Sequence, residues 1–67
     1  MNMQPVGSSN VIAVGWADGT LAIEFKGGTY RYSDVPETVF DDLLASESKG
    51  SFVHQNIKDK FTVVKVG

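Results

Sequence analysis

Large hydrophobic residues alternate with small or polar ones along two neighbouring stretches, residues 11–16 and 20–26. A period of two residues is typical of a half-buried β-strand. Asp18-Gly19 lies between the two stretches, and this dipeptide between alternating runs favours a tight hairpin turn. The large residues expected on one face of the hairpin are Ile12, Val14, Trp16, Leu21, Ile23 and Phe25.

Two further strands are predicted. Gly27-Gly28 follows the hairpin, and two adjacent glycines can both adopt the positive φ that a type I′ turn requires. Residues 29–32 then return as a third strand of a meander. Residues 62–66 are rich in β-branched side chains and predict a last strand near the end of the chain.

A first helix is predicted from Pro36 onwards. Proline suits the first turn of a helix because its missing N–H is not needed there, and it favours an extended Val35 before it. The positions that form one apolar helical stripe are Val39, Phe40, Leu43 and Leu44.

A second helix is predicted after a polar break at residues 46–50. Ser51 is the expected N-cap, since a serine hydroxyl can accept a hydrogen bond from a free N–H of the first turn. Apolar residues then recur in four-residue steps at Val53, Ile57 and Phe61. This helix would carry Lys58 and Lys60 on its surface.

The element order β-β-β-α-α-β predicts an α+β fold. We expect a small antiparallel sheet, made of a three-stranded meander plus a C-terminal strand, with both helices packed on its large-residue face. Residues 1–67 form a single domain, of which 1–7 are expected to be flexible. Trp16 is expected in the core or at its margin.

Composition narrows the class of protein. The chain has 67 residues and no cysteine, so neither a disulfide framework nor a thiolate metal site supports the core. No window approaches the roughly 20 apolar residues that a membrane span needs, and the first residues lack the pattern of a signal peptide. We therefore expect a soluble cytoplasmic protein with no membrane partner.

Charge is distributed unevenly along the chain. Residues 1–48 hold seven acids against Lys26 and Arg31, whereas residues 49–67 hold four lysines against Asp59. This asymmetry predicts two oppositely charged faces, unless the two segments interleave in space.

The tripeptide Tyr30-Arg31-Tyr32 is a candidate binding element. Strand alternation places both tyrosines on one face of the sheet and Arg31 on the other. An open tyrosine face would be a stacking platform for single-stranded nucleic acid. Alternatively, the tyrosines pack beneath the helices and only their hydroxyls reach solvent.

His54 is the only histidine, and no second histidine or cysteine gives it the spacing of a metal site. The sequence shows no nucleophile and carboxylate that would complete a catalytic set, so no enzyme activity, metal or cofactor is predicted. Lys58 and Lys60 could contact phosphates. Lysines on the solvated face of a helix are the simpler explanation.

A second candidate surface is acidic. Glu37, Asp41 and Asp42 lie outside the apolar stripe of the first predicted helix and could dock a basic protein surface. A solvated helix face explains the same pattern.

An ordered series of residues along nearly the whole chain resembles a known family. The residues that carry it are Ser8-Ser9, Val14, Trp16, residues 21–25, Gly28, Tyr30-Arg31-Tyr32, Val35-Pro36, Val39-Phe40, residues 43–45, Ser48, Gly50, Ile57-Lys58 and Phe61. This series resembles the KTSC domain, found at the C-terminus of some lysyl-tRNA synthetases and as small bacterial and phage proteins.

The resemblance implies a non-enzymatic binding module, since the family has no established activity, and the synthetase linkage suggests RNA. Candidate contacts are Tyr30, Arg31, Tyr32, His54, Lys58 and Lys60. The alternative is a protein–protein interaction module or a small phage or host regulatory factor. The sequence departs from the family at Trp16 and Phe61, where tyrosine is more usual, and at His54, where asparagine is expected.

Overall fold

The computed structural model describes all residues from Met1 to Gly67 and contains five strands and two helices. In chain order they are β1 (Gln4–Pro5), β2 (Val11–Ala17), β3 (Thr20–Phe25), β4 (Gly28–Tyr32), α1 (Glu37–Ala45), α2 (Lys49–Asn56) and β5 (Val63–Lys65). The predicted α+β class is confirmed.

The strands form one antiparallel sheet in the order β1-β2-β3-β4-β5. Both helices are inserted between β4 and β5, and β5 returns to pair with β4. The structure adds β1 to the predicted order, which becomes β-β-β-β-α-α-β. This two-residue strand lies within residues 1–7, whose flexibility stays a prediction.

The two predicted turns differ in outcome. Asp18 and Gly19 have φ angles of 49° and 83°, as a type I′ turn requires, so the first hairpin is confirmed. The second hairpin also forms, but its type I′ turn at Gly27-Gly28 was predicted wrongly, because the turn lies between Phe25 and Gly28 and, of the two glycines, only Gly28 has a positive φ. Gly28 is needed for a further reason, since a Cβ there would lie 2.5 Å from the backbone carbonyl oxygen of Gly67.

The position of Ile12 was also predicted wrongly, because β2 contains a bulge. Val11 pairs with Phe25 and Ala13 pairs with Glu24, so Ile12 has no partner between them. The extra residue shifts the alternation by one position. Val11 therefore enters the core, whereas Ile12 is 44% exposed.

The core fills the space between the sheet and the two helices. Residues that stand directly opposite in paired strands share a face, so the helix-facing side of β2, β3 and β4 can be read from the register. The buried residues that pack together there and with the helices are Val11, Val14, Leu21, Ile23, Tyr32, Val35, Phe40, Leu43, Val53 and Ile57. Both helices thus cover the same face, as predicted.

Trp16 joins the sheet to the start of α1. It is partly buried against the core, and its indole Nε1–H donates a hydrogen bond of 2.8 Å to the Val35 carbonyl oxygen. Val35 is itself buried, and Pro36 after it occupies the N-cap position of α1 with a φ of −63°. The predicted margin position of Trp16 and the helix start at proline are both confirmed.

The second helix begins and ends earlier than predicted. Ser48, not Ser51, is the N-cap, and its hydroxyl accepts a hydrogen bond of 3.3 Å from the Ser51 backbone N–H. Helix α2 ends at Asn56, so Lys58 and Lys60 lie in the following turn and not on a helix. Neither helix is long and apolar enough to cross a membrane.

Candidate functional site

A pocket of about 500 Å³ opens between the sheet and α2. Its walls come from β3, β4, β5, helix α2 and the turn after this helix. The residues that line it are Asn10, Phe25, Tyr30, Tyr32, Gly50, Val53, His54, Lys58, Asp59 and Val63.

The sheet gives the pocket an aromatic wall. Tyr30 pairs with Ile23 and Tyr32 pairs with Leu21, so both tyrosines point to the helix-facing side, as the alternation of β4 predicts. The rings of Phe25 and Tyr30 lie edge to face, with centroids 5.6 Å apart and planes at 73°. This geometry holds the Tyr30 ring in a defined orientation.

The two tyrosines are neither an open platform nor fully hidden. Tyr32 is 6% exposed and belongs to the core, whereas Tyr30 is partly buried at its edge. Burial raises the pKa of the Tyr32 phenol, and the neighbouring Tyr30 raises it further. The Tyr32 phenol is therefore harder to ionise than that of an ordinary tyrosine, and its hydroxyl can donate a hydrogen bond.

The opposite wall is polar and comes mainly from α2 and its end. His54 lies in the last turn of α2 and is exposed to solvent. Lys58 and Asp59 follow in the turn, where the Lys58 backbone N–H donates to the Val53 carbonyl oxygen at 2.7 Å. Asp59 adopts a left-handed conformation with a φ of 64°.

The last strand closes one side of the pocket. Val63 pairs with Tyr32 and Lys65 pairs with Tyr30, so both side chains of β5 stand on the helix-facing side. Both residues are exposed, with Val63 at 46%. The pocket is therefore open to solvent near a second lysine.

The structure divides the candidate binding residues into two groups. Those that line the pocket together are Tyr30, Tyr32, His54 and Lys58. Arg31 pairs with Ala22 and Val64, which places it on the opposite face of the sheet, and Lys60 does not line the pocket. The acidic residues Glu37, Asp41 and Asp42 are exposed on α1 and also lie outside it.

Sequence reasoning missed Asn10, Phe25 and Asp59 as pocket residues. One signal was available for Asp59, which is the only acid among the lysines of the last quarter of the chain. Asn10 is brought to the pocket by the sheet, since its carbonyl oxygen accepts a hydrogen bond of 3.3 Å from the Lys26 backbone N–H. No group of three or more His, Asp or Glu side chains is placed to hold a metal ion.

These features define a class, namely small α+β domains in which two helices precede the last strand of an antiparallel meander. The chain belongs to the KTSC family, because the model of the KTSC domain matches residues 7–61. A crystal structure of a KTSC domain protein from Yersinia pestis is similar, with 38% identity and a TM-score of 0.92. That match covers 98% of this chain and 97% of the other.

Two relatives in sequence differ in size. A protein from Tsukamurella paurometabola is 52% identical over 65 residues, which cover 92% of this chain and 97% of the relative. A lysine–tRNA ligase from Trichormus variabilis is 46% identical over 43 residues, which cover 63% of this chain and 8% of the ligase. The second match therefore joins this chain to one small part of a much larger enzyme.

Proposed function

We propose that this chain is a non-enzymatic binding module that takes single-stranded nucleic acid, RNA in the first place, at the pocket between the sheet and α2. The observation that carries the proposal is the pairing of two walls across one cavity. One wall is aromatic, with Tyr30 and Tyr32, and the other holds His54 and Lys58. A nucleotide needs the same combination, because its base is apolar on both faces and its phosphate is an anion.

The size of the pocket supports a ligand of this kind. A volume of about 500 Å³ lies within the roughly 300–1,000 Å³ that small-molecule sites occupy. One unstacked base fits this space, whereas a duplex does not. Stacking of a base on an aromatic ring contributes roughly 1–3 kcal/mol per base to binding, and every base has a face that can stack in this way.

The local charge supports the proposal although the whole chain is acidic. The formal net charge is −2, but the lysines of the last quarter of the chain are concentrated in β5 and in the turn after α2. Lys58 lines the pocket, and Lys65 stands on the same side of the sheet as Tyr30. A nucleic-acid strand that enters the pocket would therefore lie closer to these lysines than to the acidic residues of α1.

The relatives supply a second line of support. The ligase whose segment matches this chain is named for tRNA, and the matched segment is a small part of it. A domain that recurs both beside a tRNA enzyme and as a small protein is well suited to hold RNA without chemistry of its own.

A binding role also fits the state of His54. The ring is exposed, and it takes no part in the side-chain hydrogen bonds of the structure. A general base is normally oriented by a carboxylate or another acceptor. We therefore assign His54 to ligand contact. The location of the chain in the cytoplasm stays a prediction from its composition.

The test is a titration of the chain with short single-stranded RNA and DNA at low and moderate salt, followed by fluorescence anisotropy and backbone amide shifts. We expect saturable binding, with shifts at the pocket residues. Replacing Lys58 by alanine should weaken binding and reduce the slope of log affinity against log salt by about 1. Lys26→Ala is the control, since Lys26 is exposed in the β3–β4 turn outside the pocket. The absence of saturable binding at low salt would rule the proposal out.

One observation favours a second candidate, a protein-interaction module of the kind a small phage or host regulatory factor would use. β5 is an edge strand with exposed valines at positions 63 and 64, and the exposed Val66 follows it directly. Exposed apolar edges can pair with a strand of a partner. Val64→Lys should abolish such pairing. If a partner docks instead on the acidic face of α1, Asp41→Lys and Asp42→Lys should weaken that docking. Nucleic-acid binding should survive all of these changes.

A further inference from the structure

Asp59 is the only carboxylate among the residues that line the pocket. It directly follows Lys58, which lines the same pocket. A carboxylate beside a phosphate would be repelled, so an acid has no place where a phosphate binds. Asp59 therefore marks the part of the pocket that faces a neutral portion of the ligand.

The backbone around Asp59 holds it in place. Its φ of 64° is uncommon for a residue other than glycine, although aspartate tolerates it better than most. The turn is fixed on both sides by hydrogen bonds, from the Lys58 N–H to the Val53 carbonyl and from the Lys60 N–H to the Ile57 carbonyl at 3.0 Å. The acid is thus presented by an ordered turn.

The chemistry of an ionised carboxylate limits what it can bind. It only accepts hydrogen bonds, and its two oxygens suit a pair of adjacent donors. Guanine presents such a pair on its Watson–Crick edge, at N1–H and the 2-amino group. Adenine and cytosine present one amino group beside an acceptor nitrogen, and uracil presents one N–H between two carbonyl oxygens.

The rest of the pocket supplies the remaining contacts of a guanine. Asn10 lines the same cavity and carries the N–H donors that guanine O6 needs. Tyr30 and Tyr32 offer the apolar wall for the face of the base. Lys58 follows in the same lining and would supply the cation for the phosphate.

We propose that the pocket takes one unstacked guanine of a single strand and that Asp59 reads it by accepting hydrogen bonds from N1–H and the 2-amino group. This inference rests on the nucleic-acid function proposed above. It makes Asp59 the main specificity-determining residue, with Asn10 in support, of a pocket whose aromatic and phosphate contacts tolerate any base.

The experiment compares four RNA pentamers with the sequence UUXUU, in which X is guanine, inosine, adenine or uracil, by anisotropy at low salt. The guanine pentamer should bind about tenfold more tightly than the uracil pentamer, as a good bidentate contact allows. Inosine lacks only the 2-amino group, so its pentamer should bind more weakly than that of guanine. This comparison needs no change to the protein.

Asp59→Asn removes the carboxylate at nearly constant shape and should reduce the preference for guanine over uracil to less than about threefold. Asp34→Asn is the matched control. Asp34 has a φ of 58° and is exposed outside the pocket, so this change removes the same charge from the same backbone conformation. It should leave the preference for guanine unchanged.

The possible results separate the inference from the function on which it rests. Equal binding of all four pentamers would overturn the role of Asp59 and leave nucleic-acid binding intact. A guanine preference that persists in Asp59→Asn, or that inosine shares in full, would also overturn it. If no pentamer binds, both proposals fail together.

Discussion

The two halves of the helix-facing side of the sheet are built differently. On the half formed by β2 and β3, the residues Val11, Val14, Leu21 and Ile23 are fully buried under the helices. On the half formed by β4 and β5, Tyr30 is partly buried and the two β5 residues on this side are exposed. One face of one sheet thus carries mainly the core on one half and mainly the pocket on the other, although Phe25 at the end of β3 lines the pocket and Tyr32 of β4 is buried.

The difference arises from where α2 ends and from the side chains beneath it. The buried residues of α2 and of the position just after it are Val53 and Ile57. After Ile57 the chain turns towards β5. Strands β2 and β3 offer aliphatic side chains that close packing can cover completely. Strand β4 offers long tyrosines with polar ends, so the space above it stays open. The core half should therefore control stability, and substitutions on the pocket half should change stability little.

The largest expected effect tests this division directly. Leu21→Ala should lower the free energy of unfolding by about 2–5 kcal/mol, because a fully buried leucine leaves a cavity. Val63→Ala on the pocket half should change it by less than about 0.5 kcal/mol, because Val63 is half exposed. Chemical denaturation of both variants gives the two values. Similar losses would mean that both halves belong to one core.

A smaller effect is expected at the start of the helix that bounds both halves. Ser48→Ala removes the hydroxyl that accepts from the Ser51 N–H and should cost about 1 kcal/mol. Ser51→Ala is the control, because it keeps the backbone donor and should change stability by less than about 0.5 kcal/mol. Thermal or denaturant unfolding followed by circular dichroism measures both. Equal losses would show that the hydroxyl of Ser48 does not stabilise α2.

The smallest effect concerns Tyr32, which lies where the two halves meet. Its pKa is raised in the folded chain from the ordinary 10.0, chiefly by burial. The stability that this raised pKa contributes is fully present below pH 10 and is lost as the pH rises through the folded value, because the unfolded chain releases the phenol proton first. Unfolding free energy should therefore fall from about pH 10 upwards.

Tyr32→Phe should remove this component of the pH dependence, and Tyr30→Phe should leave most of it, since burial is the larger cause. The measurement is denaturant unfolding at several pH values between 8 and 11, compared with the unchanged chain. If the unfolding free energy of Tyr32→Phe falls with pH as steeply as that of the unchanged chain, groups other than Tyr32 cause the decrease.

Much of the fold could be predicted because its signals are local. The alternation of residues 20–26 and the Asp18-Gly19 turn each depend on a few neighbouring residues, and both have the expected structure. The bulge at Ile12 could not be predicted, since a single unpaired residue leaves the sequence alternation intact. The two-residue strand β1 has no periodicity that could identify it.

The candidate site was harder to predict because it depends on contacts between distant segments. The common face of Tyr30 and Tyr32 follows from strand alternation alone. The cap at Ser48 could not be distinguished from Ser51, because both are serines near the start of an apolar stretch. A separate error, the extension of the helix through the apolar steps at Ile57 and Phe61, covered Asp59 and concealed its turn, which is why its place in the pocket was missed.

The return of β5 to β4 also has a consequence for the order in which the chain assembles. Tyr32 and Val63 are partners across the sheet, although both helices lie between them in sequence, whereas every other strand pairs with its immediate neighbour. Closing a long loop is slower than closing a hairpin, because more chain must be ordered before the contact forms. We therefore expect the hairpins to form before β5 docks. The wall that Val63 gives to the pocket would then be completed only when β5 pairs with β4, after the core between β2, β3 and the helices is in place.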